Sequence, residues 1–262
     1  MKEFFGWDGY TREPEGYMSW QHILFVTCLM ILMTALAVLF GKRNKGKSDA
    51  EKNRVLIVAA ISIDVFEAFK IVIICLRAND PLLWLYELPL FMCSILLIAI
   101  PLAAFSKGRM KESMIDFVLI FGLLGAVLGT YLAGNNYGSY PVLGFDNVVS
   151  GITHSISGFS SLYIFVTGMA TVKKKNIPIT ASVLTGFAVC AFIANKLLDY
   201  NYMFLTRGDG TPYDIIYNLV DGNQVLYPMI VVLLFYIYIV AFYSVYFYLR
   251  SKKVNRFYAK MS

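Results

Sequence analysis

Apolar residues along the chain gather into seven runs, at about residues 19–40, 55–76, 88–105, 115–133, 147–171, 178–199 and 224–249, separated by polar or basic segments. The runs are close to the ~20 residues that an α-helix needs to cross the hydrocarbon core of a bilayer. This pattern predicts an all-α polytopic membrane protein of seven transmembrane helices. It predicts one domain over residues 1–262, with a polar lead-in at 1–18 and a basic tail at 250–262.

The polar interruptions of the runs are more informative than the runs themselves. The first helix opens at Ser19-Trp20-Gln21-His22, which places His22 about one turn below the membrane surface. The second carries Asp64, Glu67 and Lys70. Ionisable side chains inside a span are costly, face the interior and are functional candidates. Glu67 and Lys70 are spaced to pair on one helix face, and such a pair also serves simply to order a bundle.

The third run holds Pro89 near its predicted first turn, where the missing N–H costs little. It also holds Pro101, which deprives the Leu97 carbonyl of its partner and predicts a kink. In the fourth run Gly122, Gly125 and Gly129 suit close helix packing better than a ligand loop. The fifth is the most polar. Ser150, His154, Ser157 and Ser161 fall on one helical face, widened by Thr153 and Ser160. Such a stripe packs on another helix or lines a cavity. The sixth is apolar until Asn195, Lys196, Asp199 and Asn201, and the loop beyond it contains the turn signal Arg207-Gly208-Asp209-Gly210.

Composition fits this reading, with 58% hydrophobic, 16% aromatic and 15% charged residues. The net charge of +6 would suggest a nucleic-acid partner if it were spread along a soluble domain. Instead, of the 23 Lys and Arg residues, seventeen lie in the segments after the first, third and fifth runs and in the tail, against four at the opposite ends. By the positive-inside rule this places the N-terminus outside and the C-terminus in the cytoplasm, and no nucleic-acid module is present. The first run follows a polar segment without a basic start and reads as a retained helix of a multi-pass cell-membrane protein. Cys28, Cys75, Cys93 and Cys190 form no CxxC and no metal-ligand spacing. No metal and no cofactor are expected, and the sequence does not identify protein partners.

Counting along alternating helices places Cys93, His154, His22, Glu67, Lys70, Asn195 and Lys196 in the same outer half of the membrane. Cys93 and His154 then form a candidate nucleophile–base pair, because an imidazole that accepts the thiol proton generates the reactive thiolate. The serines of the His154 face, Asn195 or Lys196 are candidate oxyanion donors. The plainer alternative is that Cys93 is a small apolar filler, His154 a packing donor and His22 an interfacial residue.

Several elements together carry a resemblance: Ser19-x-x-His22, Leu88-Pro89-Leu90-x-x-Cys93-Ser94, His154, and Asn201-Tyr202-Met203-Phe204-Leu205 followed by Pro212. Over about residues 15–250 the chain resembles the YwaF-like bacterial integral membrane proteins, with Phe91 standing where several members have His. That family is distantly similar to a eukaryotic transmembrane acyltransferase of ether-phospholipid remodelling that uses a Cys and a His. It is more remotely similar to the androgen-induced hydrolases of branched fatty-acid esters, which pair Thr with His. The resemblance implies Cys93 as the acylated nucleophile, His154 as the base and a membrane phospholipid or lysolipid as substrate. His22, Glu67, Lys70, Ser150, Ser157, Asn195, Lys196 and Asn201 are expected to line or support the cavity. The expected function is a lipid acyltransferase or acyl-ester hydrolase. The alternative is a non-enzymatic transport or binding protein with an outward-facing polar cavity.

Overall fold

The computed structural model describes residues 1–258, so the last part of the predicted basic tail, including Lys260, lies outside the described residues. Among the described residues the chain is helical, without strands. The helices are α1 (Lys2–Phe5), α2 (Trp20–Asn44), α3 (Asp49–Ala78), α4 (Leu96–Phe105), α5 (Gly108–Tyr131), α6 (Gly134–Ser139), α7 (Phe145–Thr167), α8 (Ile177–Leu198), α9 (Tyr213–Leu219) and α10 (Leu226–Tyr258). The contacts gather the chain into two compact units, Met1–Thr171 and Val172–Ser262.

Four helical stretches among the described residues are long and apolar enough to cross a membrane: Trp20–Asn44, Gly108–Ser139, Lys174–Leu198 and Leu226–Ser251. The other two long helices, α3 and α7, are too polar to qualify. In the first unit α7 packs against α2, α3 and α5, with further contacts to α1, α4 and α6. A helix enclosed by protein need not be apolar all round. Its hydroxyls bond carbonyls of the same helix, Ser155 to Gly151 at 2.7 Å, Ser160 to Ile156 at 2.8 Å and Thr167 to Tyr163 at 2.7 Å, which satisfies them without water.

Local signals set the helix boundaries. Ser19 caps α2 by accepting the His22 N–H. Ser48 and Glu51 form a reciprocal capping box, so α3 begins at Asp49 rather than near residue 55. Asn79, in the left-handed conformation, ends α3. The third predicted helix is corrected most. It starts at Leu96, not at residue 88, because Pro89 sits in a tight turn closed by a Leu90 N–H to Leu88 carbonyl bond of 2.7 Å.

The lead-in is a structural part of the first unit rather than a loose interfacial arm. Phe5 and Trp7 pack on Ile73, Phe145 and Val149. Glu15 accepts the Val142 N–H at 2.7 Å. Arg77, at the end of α3, forms a bidentate pair with the buried Asp146 of α7, at 2.8 and 2.9 Å. Tyr10 donates to the same carboxylate and accepts from Arg77. Burial, first, and then the hydrogen bond to Asp146 push the Tyr10 phenol above its ordinary range.

Candidate active site

Residues of the first unit line a small, partly open recess of about 50 Å³, formed by Ile63, Glu67, Lys70, Cys93, Ser94, Leu97, Ser150, Thr153, His154 and Ser157. Three chain segments meet here. One is the middle of α3, which presents Ile63, Glu67 and Lys70. Another is the irregular stretch before α4, which presents Cys93 and Ser94. The third is the polar face of α7.

Cys93 lies in a turn, not one and a half turns into a helix as the sequence suggests. The Ile95 N–H bonds the Phe91 carbonyl at 3.0 Å and the Leu96 N–H bonds the Cys93 carbonyl at 3.3 Å, so the chain coils before α4 begins. This holds the thiol, half-buried, at the recess wall. The Ser94 hydroxyl and the His154 imidazole are its side-chain neighbours.

His154 is oriented by its own helix. Its Nδ1 lies 2.8 Å from the Ser150 carbonyl. A carbonyl only accepts, so Nδ1 carries the proton and Nε2 carries the lone pair. Nε2 is buried and has no hydrogen-bond partner among the described residues. The thiol and the ring lie close enough to interact by a side-chain hydrogen bond and by charge, although Nε2 is not seated in full hydrogen-bond geometry.

The glycines of α5 make room for the pair. A Cβ at Gly129 would overlap the His154 ring, and one at Gly122 would come within 2.7 Å of the Ser157 carbonyl. At Gly125 it would sit in ordinary contact with Cys93, 3.7 Å from that Cβ. Their function is packing, as their spacing suggests. Sequence reasoning missed that Gly129 shapes the seat of the imidazole.

The expected Glu67–Lys70 pair forms at 2.6 Å, and Glu87 completes it at 2.9 Å from the Lys70 ammonium. The contribution of Glu87 was not anticipated. Its signal was a second carboxylate directly before the Leu88-Pro89-Leu90 turn. Ser157 donates to the Thr153 carbonyl at 3.1 Å. Ser161, on the same face, leaves the recess and donates to Leu119 of α5 at 2.9 Å.

Four expected site residues are committed elsewhere. His22 does not line the recess. It is fully buried, its Nε2 donates to the Thr130 carbonyl at 3.0 Å and its Nδ1 accepts the Met18 N–H at 3.2 Å. Its ring lies 3.8 Å from that of Tyr137, so it fastens α2 to the end of α5 instead of sitting at an interface. Asn195, Lys196 and Asn201 belong to the second unit. Asn195 donates to the Tyr202 carbonyl at 3.0 Å and accepts the Tyr202 N–H at 2.6 Å. Asn201 donates to Arg207 and Asp209 and accepts from Thr206. Both amides bond the loop that follows them. Lys196 is exposed beside the Phe192 ring.

Fold and site together define a helical membrane protein in which a thiol, an imidazole and the Glu67–Lys70 ion pair line one recess of the first unit. The chain belongs to the TMEM164 family, whose model matches residues 17–249. No curated protein and no solved structure matches it.

Proposed function

We propose that the protein is a membrane-embedded lipid acyltransferase or acyl-ester hydrolase, with Cys93 as nucleophile and His154 as base. One observation carries the reading. His154 spends its proton-bearing nitrogen on Ser150, and the other nitrogen is left buried and unpartnered, among the described residues, in the ring that shares a recess with Cys93. Leaving a buried acceptor unmatched costs about 1–3 kcal/mol, a cost that a general base recovers when it takes a proton.

The chemistry follows in two balanced halves. The Cys93 proton passes to Nε2 as sulfur bonds to the carbonyl carbon of a lipid ester. The tetrahedral adduct collapses and its bond to the alcohol oxygen breaks. That oxygen takes the proton back from the imidazolium, a lysolipid leaves and the acyl group remains on sulfur as a thioester. A lysolipid hydroxyl, or water, then gives its proton to Nε2 and attacks the thioester carbonyl. The thiol leaves and is reprotonated. The Ser94 and Ser150 hydroxyls line the same space and are the donors available to the oxyanion.

The reading extends to topology. We assign seven spans in the cell membrane, N-terminus outside, on the strength of the asymmetric Lys and Arg distribution. The third span is broken. The ten residues of α4 rise only about 15 Å, half of a ~30 Å hydrocarbon core. The irregular stretch before it completes the crossing, and non-helical backbone at that depth is tolerated where it lines a cavity. Cys93 sits at the break. The resemblance of Leu88-Pro89-Leu90-x-x-Cys93-Ser94 and His154 to the YwaF-like proteins and their distant Cys/His acyltransferase relative supports the same chemistry, with a membrane phospholipid or lysolipid as substrate.

The test is covalent capture. Purified full-length protein in lipid nanodiscs is treated with a lipid-like acylating probe, and the labelled residue is located by mass spectrometry. Labelling at Cys93, lost in Cys93→Ala together with lipid turnover, is the expected result. Turnover of a lipid ester by Cys93→Ala at the wild-type rate would sink the mechanism.

A further inference from the structure

The first unit has a second recess, remote in sequence from Cys93 and His154 and built from other residues. Phe40, Arg43, Asn44 and Lys47 of the α2 end and loop, with Glu51, Arg54 and Val55 of α3, line an open groove of about 240 Å³. Three cations and one carboxylate line it. The carboxylate is not available to neutralise them, because Glu51 accepts the Ser48 N–H at 3.1 Å and the Ser48 hydroxyl at 2.8 Å in the capping box. Those bonds hold the Glu51 carboxyl below its ordinary range, with Lys47 and Arg54 adding to the effect. Lys52, in the same segment, turns to Asp49. Among the described residues Arg43, Lys47 and Arg54 make no ion pair.

Three unpaired cations around one open groove match a phosphate, which guanidinium forks hold by paired N–H bonds. The walls decide what carries that phosphate. Phe40 and Val55 are apolar, and beyond them Leu36 and Leu39 of α2 and Val58 and Ile61 of α3 are exposed. The groove thus lies where a basic helix end meets an apolar flank of a membrane protein. We propose that it binds an anionic membrane phospholipid, its phosphate held by Arg43, Lys47 and Arg54 and its acyl chains lying along the exposed α2 and α3 side chains. Basic clusters beside membrane helices attract anionic headgroups. This groove adds convergence of the cations and an adjoining apolar track, which a general surface charge lacks. The inference does not rest on the chemistry at Cys93.

The experiment compares two charge-matched variants of the full-length protein in nanodiscs holding phosphatidylglycerol and phosphatidylcholine. Arg43→Gln/Arg54→Gln removes two groove cations. Lys42→Gln/Lys45→Gln removes two cations from the same end of α2 that do not line the groove. Lipids retained after release are counted by native mass spectrometry, and Arg43→Lys/Arg54→Lys reports on the fold with the charge kept. The expected result is that retained phosphatidylglycerol falls about tenfold in the groove variant, less in the lysine variant, which keeps the charge and loses the guanidinium forks, and little in the control. Equal losses in groove variant and control, or no loss in either, would overturn the site. Displacement of the lipid by inorganic phosphate or glycerol phosphate at matching concentration would reassign the groove to a free anion and overturn the lipid assignment.

Discussion

Two imidazoles of the first unit reach consecutive residues of α5 and end in opposite chemical conditions. His22 bonds the Thr130 carbonyl through Nε2 and the Met18 N–H through Nδ1. His154, whose ring fills the space a Gly129 side chain would need, uses Nδ1 on Ser150 and leaves Nε2 unmatched among the described residues. A neutral imidazole has one donor and one acceptor. At His22 both are satisfied inside the protein, so the ring is a fastener. At His154 only the donor is, so the ring keeps a capacity to accept. Residue type is shared, although His22 is fully buried and His154 half-buried, and the second partner makes the difference.

The comparison breaks most visibly under alanine. His154→Ala is expected to lower lipid turnover about 10²–10⁴-fold, the usual range for a general base, while thermal stability in detergent holds. His22→Ala should invert this. It uncovers the Thr130 carbonyl and the Met18 N–H and costs about 1–3 kcal/mol of stability, with turnover per folded molecule retained. A His22 variant that kept its Tm and lost its turnover would place that ring in the chemistry and undo the contrast.

The Arg77–Asp146–Tyr10 cluster extends the saturated class from hydrogen bonds to charge. Asp146 is 8% exposed at its side chain and accepts from both Arg77 and Tyr10. Arg77→Met leaves that carboxylate without its cation and should destabilise by about 3–5 kcal/mol, the cost of orphaning a buried charge. Arg77→Met/Asp146→Leu removes both partners and should recover most of the loss. Thermal unfolding of the three proteins side by side measures this. A double variant as unstable as the single one would mean that the pair does not act as a unit.

Gly129→Ala sharpens the contrast from the α5 side. The added methyl overlaps the His154 ring, so the ring or the helix must shift, at about 1–3 kcal/mol for overpacking. Turnover should fall with the misplaced base. Gly138→Ala, where a Cβ meets open space, is the matched control. Equal turnover in the two variants would show that the seat of the imidazole is not constrained by α5.

How much of this could be read from residue order depends on the kind of interaction. Helix identity was legible because apolar runs and caps are local: α2, α8 and α10 lie close to the residues their hydropathy suggests. α4 was misplaced because Pro89 suits both a helix start and a turn, and the Leu88–Leu90 contact that decides between them is set by the surrounding fold. Glu67 with Lys70 was legible as a neighbour pair on one helix. Glu87, Arg77 with Asp146, and the Thr130 partner of His22 were not, because each joins elements distant in sequence. Cys93 and His154 share a recess although the depth count assumed a helix that begins at Leu96 instead. The turn before α4 is compact enough to bring the two together. Asn195 and Asn201 show the other side of long-range contact. Their polarity suggested a site, and their amides are consumed by the loop that follows them.

The finest test concerns one proton. The Ser150 hydroxyl lies 3.5 Å from His154 Nδ1, at the limit of a hydrogen bond, while the Ser150 carbonyl lies 2.8 Å from the same atom. If the carbonyl is the partner, Nδ1 is protonated and Nε2 is the base. If the hydroxyl donated to Nδ1, Nε2 would carry the proton and could not accept one from Cys93. Ser150→Ala keeps the carbonyl and deletes only the hydroxyl. A contact this long contributes little, so turnover should stay within about twofold of wild type and stability within about 0.5 kcal/mol. A loss in turnover as large as that of His154→Ala would reverse the tautomer and, with it, the direction in which the Cys93 proton moves.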